Sequence, residues 1–157
     1  LTGHLWIKDF ERLVESIKIS NKRIQILTEL VKFKRISQTT FEYLRRSYES
    51  EARNLEEGRK RLLEMLKTYF DEINQQIKSL EERIVSIETR YAIEEIDEES
   101  YKKQIEALQI VLQELIKELE SVKESIAVLE SSKVETQIIM EGQIISGEGR
   151  EESKTIE

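Results

Sequence analysis

Apolar residues recur at Trp6, Phe10, Leu13, Ile17, Ile24, Leu27 and Val31, with Ser20 in the one polar slot of the series. The steps alternate four and three, the spacing of a heptad seam, and predict a helix over about residues 4–34. A second series runs Phe41, Leu44, Tyr48, Leu55, Leu62, Tyr69, then Ile73, Ile77, Leu80, Ile84, Ile87, Tyr91. It predicts a helix over about 38–93, about 80 Å long at 1.5 Å per residue. Between Tyr69 and Leu80 the steps form an eleven-residue unit, which locally unwinds a heptad coil. Gly58 falls inside this helix, where it costs about 1 kcal/mol relative to Ala, and reads as a bend or a close approach. The third series, Tyr101, Ile105, Leu108, Leu112, Leu115, Leu119, Val122, Ile126, Leu129, is the most regular. It predicts a helix over about 98–133. Ile110, Val111, Ile116 and Val128 widen its stripe beyond one seam, as a helix with more than one neighbour requires.

Between these series the chain repeats a phrase: RISQTTF at 35–41 and EIDEESY at 95–101, 60 positions apart. In the first, Ser37 reads as an N-cap whose hydroxyl satisfies an orphan amide of the new helix. Ile36 before it and Phe41 after it form a hydrophobic staple. In the second, Asp97 is the cap, with Ile96 and Tyr101 as the staple. Both phrases specify a helix start after a short turn, and short turns make consecutive helices antiparallel. The expected fold is all-α: an elongated antiparallel coiled coil of three long helices with two short corners. The middle of the second helix, LLEMLKTYF at 62–70, is apolar on two faces, as a helix with two partners requires. Residues 1–136 form the expected coiled-coil domain and 137–157 a flexible tail.

Composition agrees with this reading. Of 157 residues, 38% are hydrophobic and 36% charged, a balance typical of long helices and similar to that of thermophile proteins. There is no Pro to break a helix. The absence of Cys excludes disulfides and thiolate chemistry, and suits a reducing cytoplasm. No apolar run is long enough to span a membrane, and no signal peptide is visible. The sequence begins at Leu1 rather than Met and so reads as a fragment. Net charge is −7, unevenly spread: residues 1–67 hold 15 basic and 10 acidic residues, and residues 68–157 hold 10 and 22. Such asymmetry points to association or to an anionic surface.

The sequence offers little catalytic chemistry. His4 is the only histidine, so neither a di-metal carboxylate site nor a zinc cluster can be assembled. Glu94, Glu95, Glu98 and Glu99 crowd the second corner, where Asp97, Glu98 and Glu99 suit the positive end of the helix dipole. No phosphate-binding glycine loop is present. No enzyme, cofactor, metal or small-molecule substrate is expected.

Two stretches are candidates for binding. Lys32, Lys34, Arg35, Arg45 and Arg46 surround the first corner and read either as a patch for nucleic acid or an anionic membrane, or as helix-face partners for nearby Glu residues. The positive half of one molecule could also meet the negative half of the next, giving filaments if the contact does not close. In the tail, Ile138, Ile139, Met140, Ile144 and Ile145 read either as the last turns of the third helix or as a short motif adding a strand to a partner's sheet. Apolar seams left uncovered by only three helices imply a homodimer or filament.

FERLVESIKISNKRIQIL, the turn RISQTTFEYLRRSY and the turn RYAIEEIDEESY together resemble the coiled-coil region of archaeal CdvA-like cell-division proteins, over about residues 5–133. The resemblance implies a cytoplasmic scaffold, acting at the inner face of the membrane, that assembles at the division site. It also implies recruitment of ESCRT-III-like membrane-remodelling proteins through a C-terminal peptide, in or after residues 137–146. That family also carries an N-terminal β-barrel domain, which these 157 residues do not contain, as expected either of a fragment or of a relative lacking it.

Overall fold

The computed structural model describes residues 5–140 and 143–144. Three helices account for most of them: α1 (Leu5–Lys32), α2 (Gln38–Ala92) and α3 (Glu98–Ser131). Two short strands follow, β1 (Ile139–Met140) and β2 (Gln143–Ile144), paired antiparallel with Ile139 opposite Ile144. The three expected helices are present, and each ends one or two residues early.

At the two corners the early endings of α1 and α2 have one cause. At the first corner Lys34 adopts a left-handed backbone, φ 54°. Its N–H donates to the Val31 carbonyl at 3.0 Å, and the Arg35 N–H donates to the Leu30 carbonyl at 2.9 Å. This is the Schellman pattern that satisfies the last carbonyls of a helix. The second corner repeats it. Glu94 has φ 63°, its N–H donates to Tyr91 and the Glu95 N–H to Arg90, at 3.0 and 2.9 Å. Neither left-handed position is Gly, the usual residue there. Three residues on, the caps act as expected. The Thr40 N–H donates to Ser37 Oγ at 3.2 Å, and the Ser100 N–H donates to Asp97 Oδ1 at 2.7 Å. The 60-residue repeat is therefore one stop-and-start device used twice.

The chain divides into two compact units. The first comprises α1, the part of α2 up to Leu62, and residues 129–138 of the described chain. Arg23 meets Glu51 at 3.1 Å, and Leu13 Cδ1 lies 3.7 Å from where a Gly58 Cβ would sit. Partners on α2 thus move away from the corner as partners on α1 do, the mark of an antiparallel pair. The core gathers Ile17, Ile24, Leu27, Phe41, Ala52, Val134 and Ile138, with Ile36, Leu44, Tyr48 and Leu55 packed against it. Ser20 is buried within the α1 seam. Trp6, also buried, meets Phe10 edge-to-face at 6.3 Å. Gly58 marks neither a bend nor an obligatory close approach: α2 runs through it unbroken, and a Cβ there would make ordinary contacts.

The second unit, residues 63–128, pairs the rest of α2 with α3. Leu66, Ile73, Leu80 and Ile87 are all buried at successive intervals of seven, one stripe of a heptad surface. Ile105 and Val122 answer them from α3. Tyr91 and Tyr101 stack at 4.2 Å beside the corner, and Tyr69 Oη donates to Glu118 Oε1 at 3.1 Å. Burial first, then that bond to a carboxylate, raises the Tyr69 phenol pKa. Ile110, Val111, Ile116 and Val128, expected to widen the α3 stripe, are exposed.

Candidate functional site

After α3 the chain runs on without helix from Ser132, and its backbone amides and carbonyls need partners elsewhere. The first unit supplies them. Asn21, on α1, donates through Nδ2 to the Lys133 carbonyl at 2.9 Å and accepts at Oδ1 from the Glu135 N–H at 2.9 Å. A carboxamide offers one donor and one acceptor edge, so it can bind a peptide backbone as another peptide would. Val134 and Ile138, four residues apart, then enter the core between α1 and α2. An open cleft of about 560 Å³ runs alongside, between Ile24 and Thr28 of α1 and Glu135 and Gln137 of the segment.

Glu49 closes this clasp. Its Oε2 accepts the Ile138 N–H at 2.8 Å, and its Oε1 accepts Arg45 Nη1 at 3.0 Å. Arg45 turns its other edge to Glu42 Oε2, through Nη2 at 2.7 Å and Nε at 3.2 Å. The side chains of Arg45 and Glu49 are only 2% and 3% exposed. Buried charges demand such full pairing, and no buried side-chain polar atom among the described residues lacks a hydrogen bond. Arg59 binds Glu56 through Nη2 at 2.7 Å and donates through Nη1 to the Leu129 carbonyl at 2.9 Å, holding the end of α3. The hydrogen bond to Glu56 raises the Arg59 pKa, with burial opposing it.

The clasp revises two expectations. Arg45 does not belong to a surface patch: it lies on the α2 face that carries Phe41, and its charge is spent on two carboxylates. Ile138 does not belong to a flexible tail: it is a core residue at 1% exposure. Sequence reading also missed Asn21. The alternative for Arg45, a helix-face pairing with nearby Glu residues, holds with Glu42 and Glu49, but the burial of Glu49 and its bond to Ile138 were not foreseen. Glu49 follows Phe41 and Arg45 at steps of four, a signal that a charged pair shares the buried face. Asn21 carries no comparable signal, because its partners are backbone groups of a segment more than 100 residues away.

Of the corner residues, Phe41 is buried and Ile36 packs beside it in the same core, while Ser37 and Asp97 cap as described. Tyr101 stacks on Tyr91, and Ile96 is half-buried. Lys32, Lys34, Arg35 and Arg46 are exposed around the first corner, with Phe33 and Tyr43 beside them at 66% and 73% exposure. Ile139 and Met140 lie in β1 and Ile144 in β2. His4 and Ile145 lie outside the described residues. Among the described residues no group of three or more His, Asp or Glu could hold a metal, and no helix is long and apolar enough to cross a membrane.

Known proteins can now be set beside this geometry. A family model described as a CdvA-like coiled-coil domain matches residues 5–150. Cell division protein A of Sulfolobus acidocaldarius is 26% identical over 105 residues, which make up 67% of this chain and 44% of that protein. The matched stretch thus spans less than half of the relative's length. No solved structure matches this chain. The family model covers both corners, all three helices and the clasp, and the chain belongs to the family of CdvA-like coiled-coil domains.

Proposed function

We propose that this chain is a non-enzymatic, cytoplasmic scaffold of a cell-division machinery that associates with itself and recruits a partner protein through residues beyond the clasp. Membership of the CdvA-like family and likeness to a cell division protein support the process. The observation that carries the mechanism is the clasp. Asn21, Glu49 and Arg59 fasten residues 129–138 to α1 and α2, so whatever follows Ile138 starts from a fixed point. The ordered helices supply spacing and the segment after them supplies recruitment, with an ESCRT-III-like protein as the partner implied by the resemblance.

Two measurements test this reading. A fluorescent fusion should gather at the division site, and loss of the gene should impair division; a diffuse, dispensable protein contradicts the process. A purified ESCRT-III-like protein from the same cells should bind the chain, and Ile144→Asp with Ile145→Asp should abolish that binding. Unchanged binding contradicts the tail's role.

A second reading is that the first corner binds an anionic polymer or membrane. It is favoured by the four exposed cations and by the absence of any acidic residue from 30 to 41. It requires steeply salt-dependent binding to DNA or acidic liposomes, weakened by Arg46→Glu. Binding indifferent to salt contradicts it.

A further inference from the structure

The two corners share a backbone and oppose each other in charge. From the helix end to the first turn of the next helix, the first corner reads FKRISQTT (33–40), with two cations and no acid. The second reads IEEIDEES (93–100), with five acids and no cation. Lys34 and Glu94 occupy the same left-handed position, and Arg35 and Glu95 make the same amide bond back into the preceding helix. The position just before the left-handed residue is apolar and exposed in both, Phe33 at 66% and Ile93 at 61%. Each corner therefore presents an uncovered apolar side chain beside two charged ones, with the sign reversed between corners.

We propose that the first corner of one molecule docks on the second corner of a second copy of this chain. Phe33 meets Ile93, and Lys34 and Arg35 face Glu94 and Glu95. Every copy carries one corner of each kind, so the contact is heterologous and can pass from copy to copy. Charges of the second corner are partly engaged within the chain. Glu95 lies 3.5 Å from Arg90, Glu98 3.1 Å from Lys102 and Glu99 3.5 Å from Lys103. All are substantially exposed, so these pairs are weakly held and can be rearranged. Among the described residues Glu94 has no cation partner, and neither Lys34 nor Arg35 has a carboxylate partner. Opposite charge selects the partner corner and disfavours like corners meeting; the apolar pair gives the contact a desolvated centre.

The inference rests on the self-association proposed above, and the experiment separates the two. In one variant Lys34→Glu and Arg35→Glu give the first corner the two acids of the second; in another Glu94→Lys and Glu95→Arg give the second corner the two cations of the first. Each left-handed position receives the residue type that the other corner already carries there, and circular dichroism checks that the helices persist. Analytical ultracentrifugation of the full chain should show self-association, weakened about tenfold or more in each variant alone and restored when the two are mixed in equal amounts. Association of the parent chain should also weaken toward about 1 M salt, where charges are screened within about 3 Å, which gives a readout free of substitutions. If both variants associate as the parent does, the corner contact is wrong and the self-association reading stands. If the parent is monomeric at every concentration, both are wrong. Weakening that mixing fails to restore also overturns the docking and returns the basic corner to an anionic surface.

Discussion

The Glu49 carboxylate accepts the amide of Ile138 across 89 residues of sequence, at 2.8 Å and buried. This bond and the Arg45 pair beside it place an ionic network where a coiled coil would ordinarily carry a leucine. Glu49→Ala leaves an amide unsatisfied and removes one of the two carboxylates around a buried guanidinium. It should destabilise the chain by about 3 kcal/mol in urea denaturation. Glu49→Gln keeps an acceptor for Ile138 and should lose about half of that. Hydrogen exchange at Ile138 should accelerate in both, more in the Ala variant.

The corner left-handed residues carry a local cost. Lys34 and Glu94 hold φ near 60°, a conformation that costs an L-residue with a Cβ about 1 kcal/mol. Lys34→Gly and Glu94→Gly should each raise stability by several tenths of a kcal/mol to about 1 kcal/mol, the gain being reduced by the flexibility of Gly in the unfolded chain. Thermal or chemical denaturation checks it, and a loss of stability at either site would mean that the charged side chain, not the backbone, decides the turn.

Gly58 makes the complementary case. It sits inside α2 with a normal helical backbone and room for a methyl group. Gly58→Ala should stabilise by about 1 kcal/mol. Denaturation midpoints with an unchanged slope are the readout.

The paired helices were legible in the sequence because a heptad seam and a staple-capped corner are local signals, written within a few residues of each other. Phe41, Leu66, Ile73 and Val122 all lie on the expected faces and are buried. The clasp was not legible. Asn21 binds backbone that has no side-chain signature, and the local spacing of Arg45 and Glu49 gives no sign of the distant Ile138 amide that Glu49 accepts. The cluster Ile138, Ile139, Met140, Ile144 and Ile145 reads either as the last turns of the third helix or as a motif for another protein until Ile138 is seen in the core. Distance in sequence, rather than weakness of interaction, hid these contacts.

Alkaline pH offers a probe of the second unit. The Tyr69 phenol pKa is raised in the folded chain, so the neutral form is favoured there. Its contribution to stability is complete below the ordinary tyrosine value, about 10, and is lost as pH rises through the higher folded value. Tyr69→Phe should therefore narrow the difference from the parent chain as pH increases above about 10, measured by urea denaturation at each pH. A constant difference would show that neither burial nor the bond to Glu118 raises the Tyr69 pKa in the folded chain.

The account depends most on the chain reversing at both corners, and the absence of native cysteine makes a direct distance measurement straightforward. Spin labels on Arg23→Cys with Glu51→Cys, and in a second sample on Thr68→Cys with Lys117→Cys, report the two antiparallel pairs by pulsed electron resonance. Arg23 touches Glu51, and positions 68 and 117 adjoin the Tyr69–Glu118 contact, so both distances should be short, limited mainly by the label arms. Helix running straight through Ser37 or Asp97 would instead give about 42 Å and about 74 Å, and either value would contradict the fold on which the proposed scaffold stands.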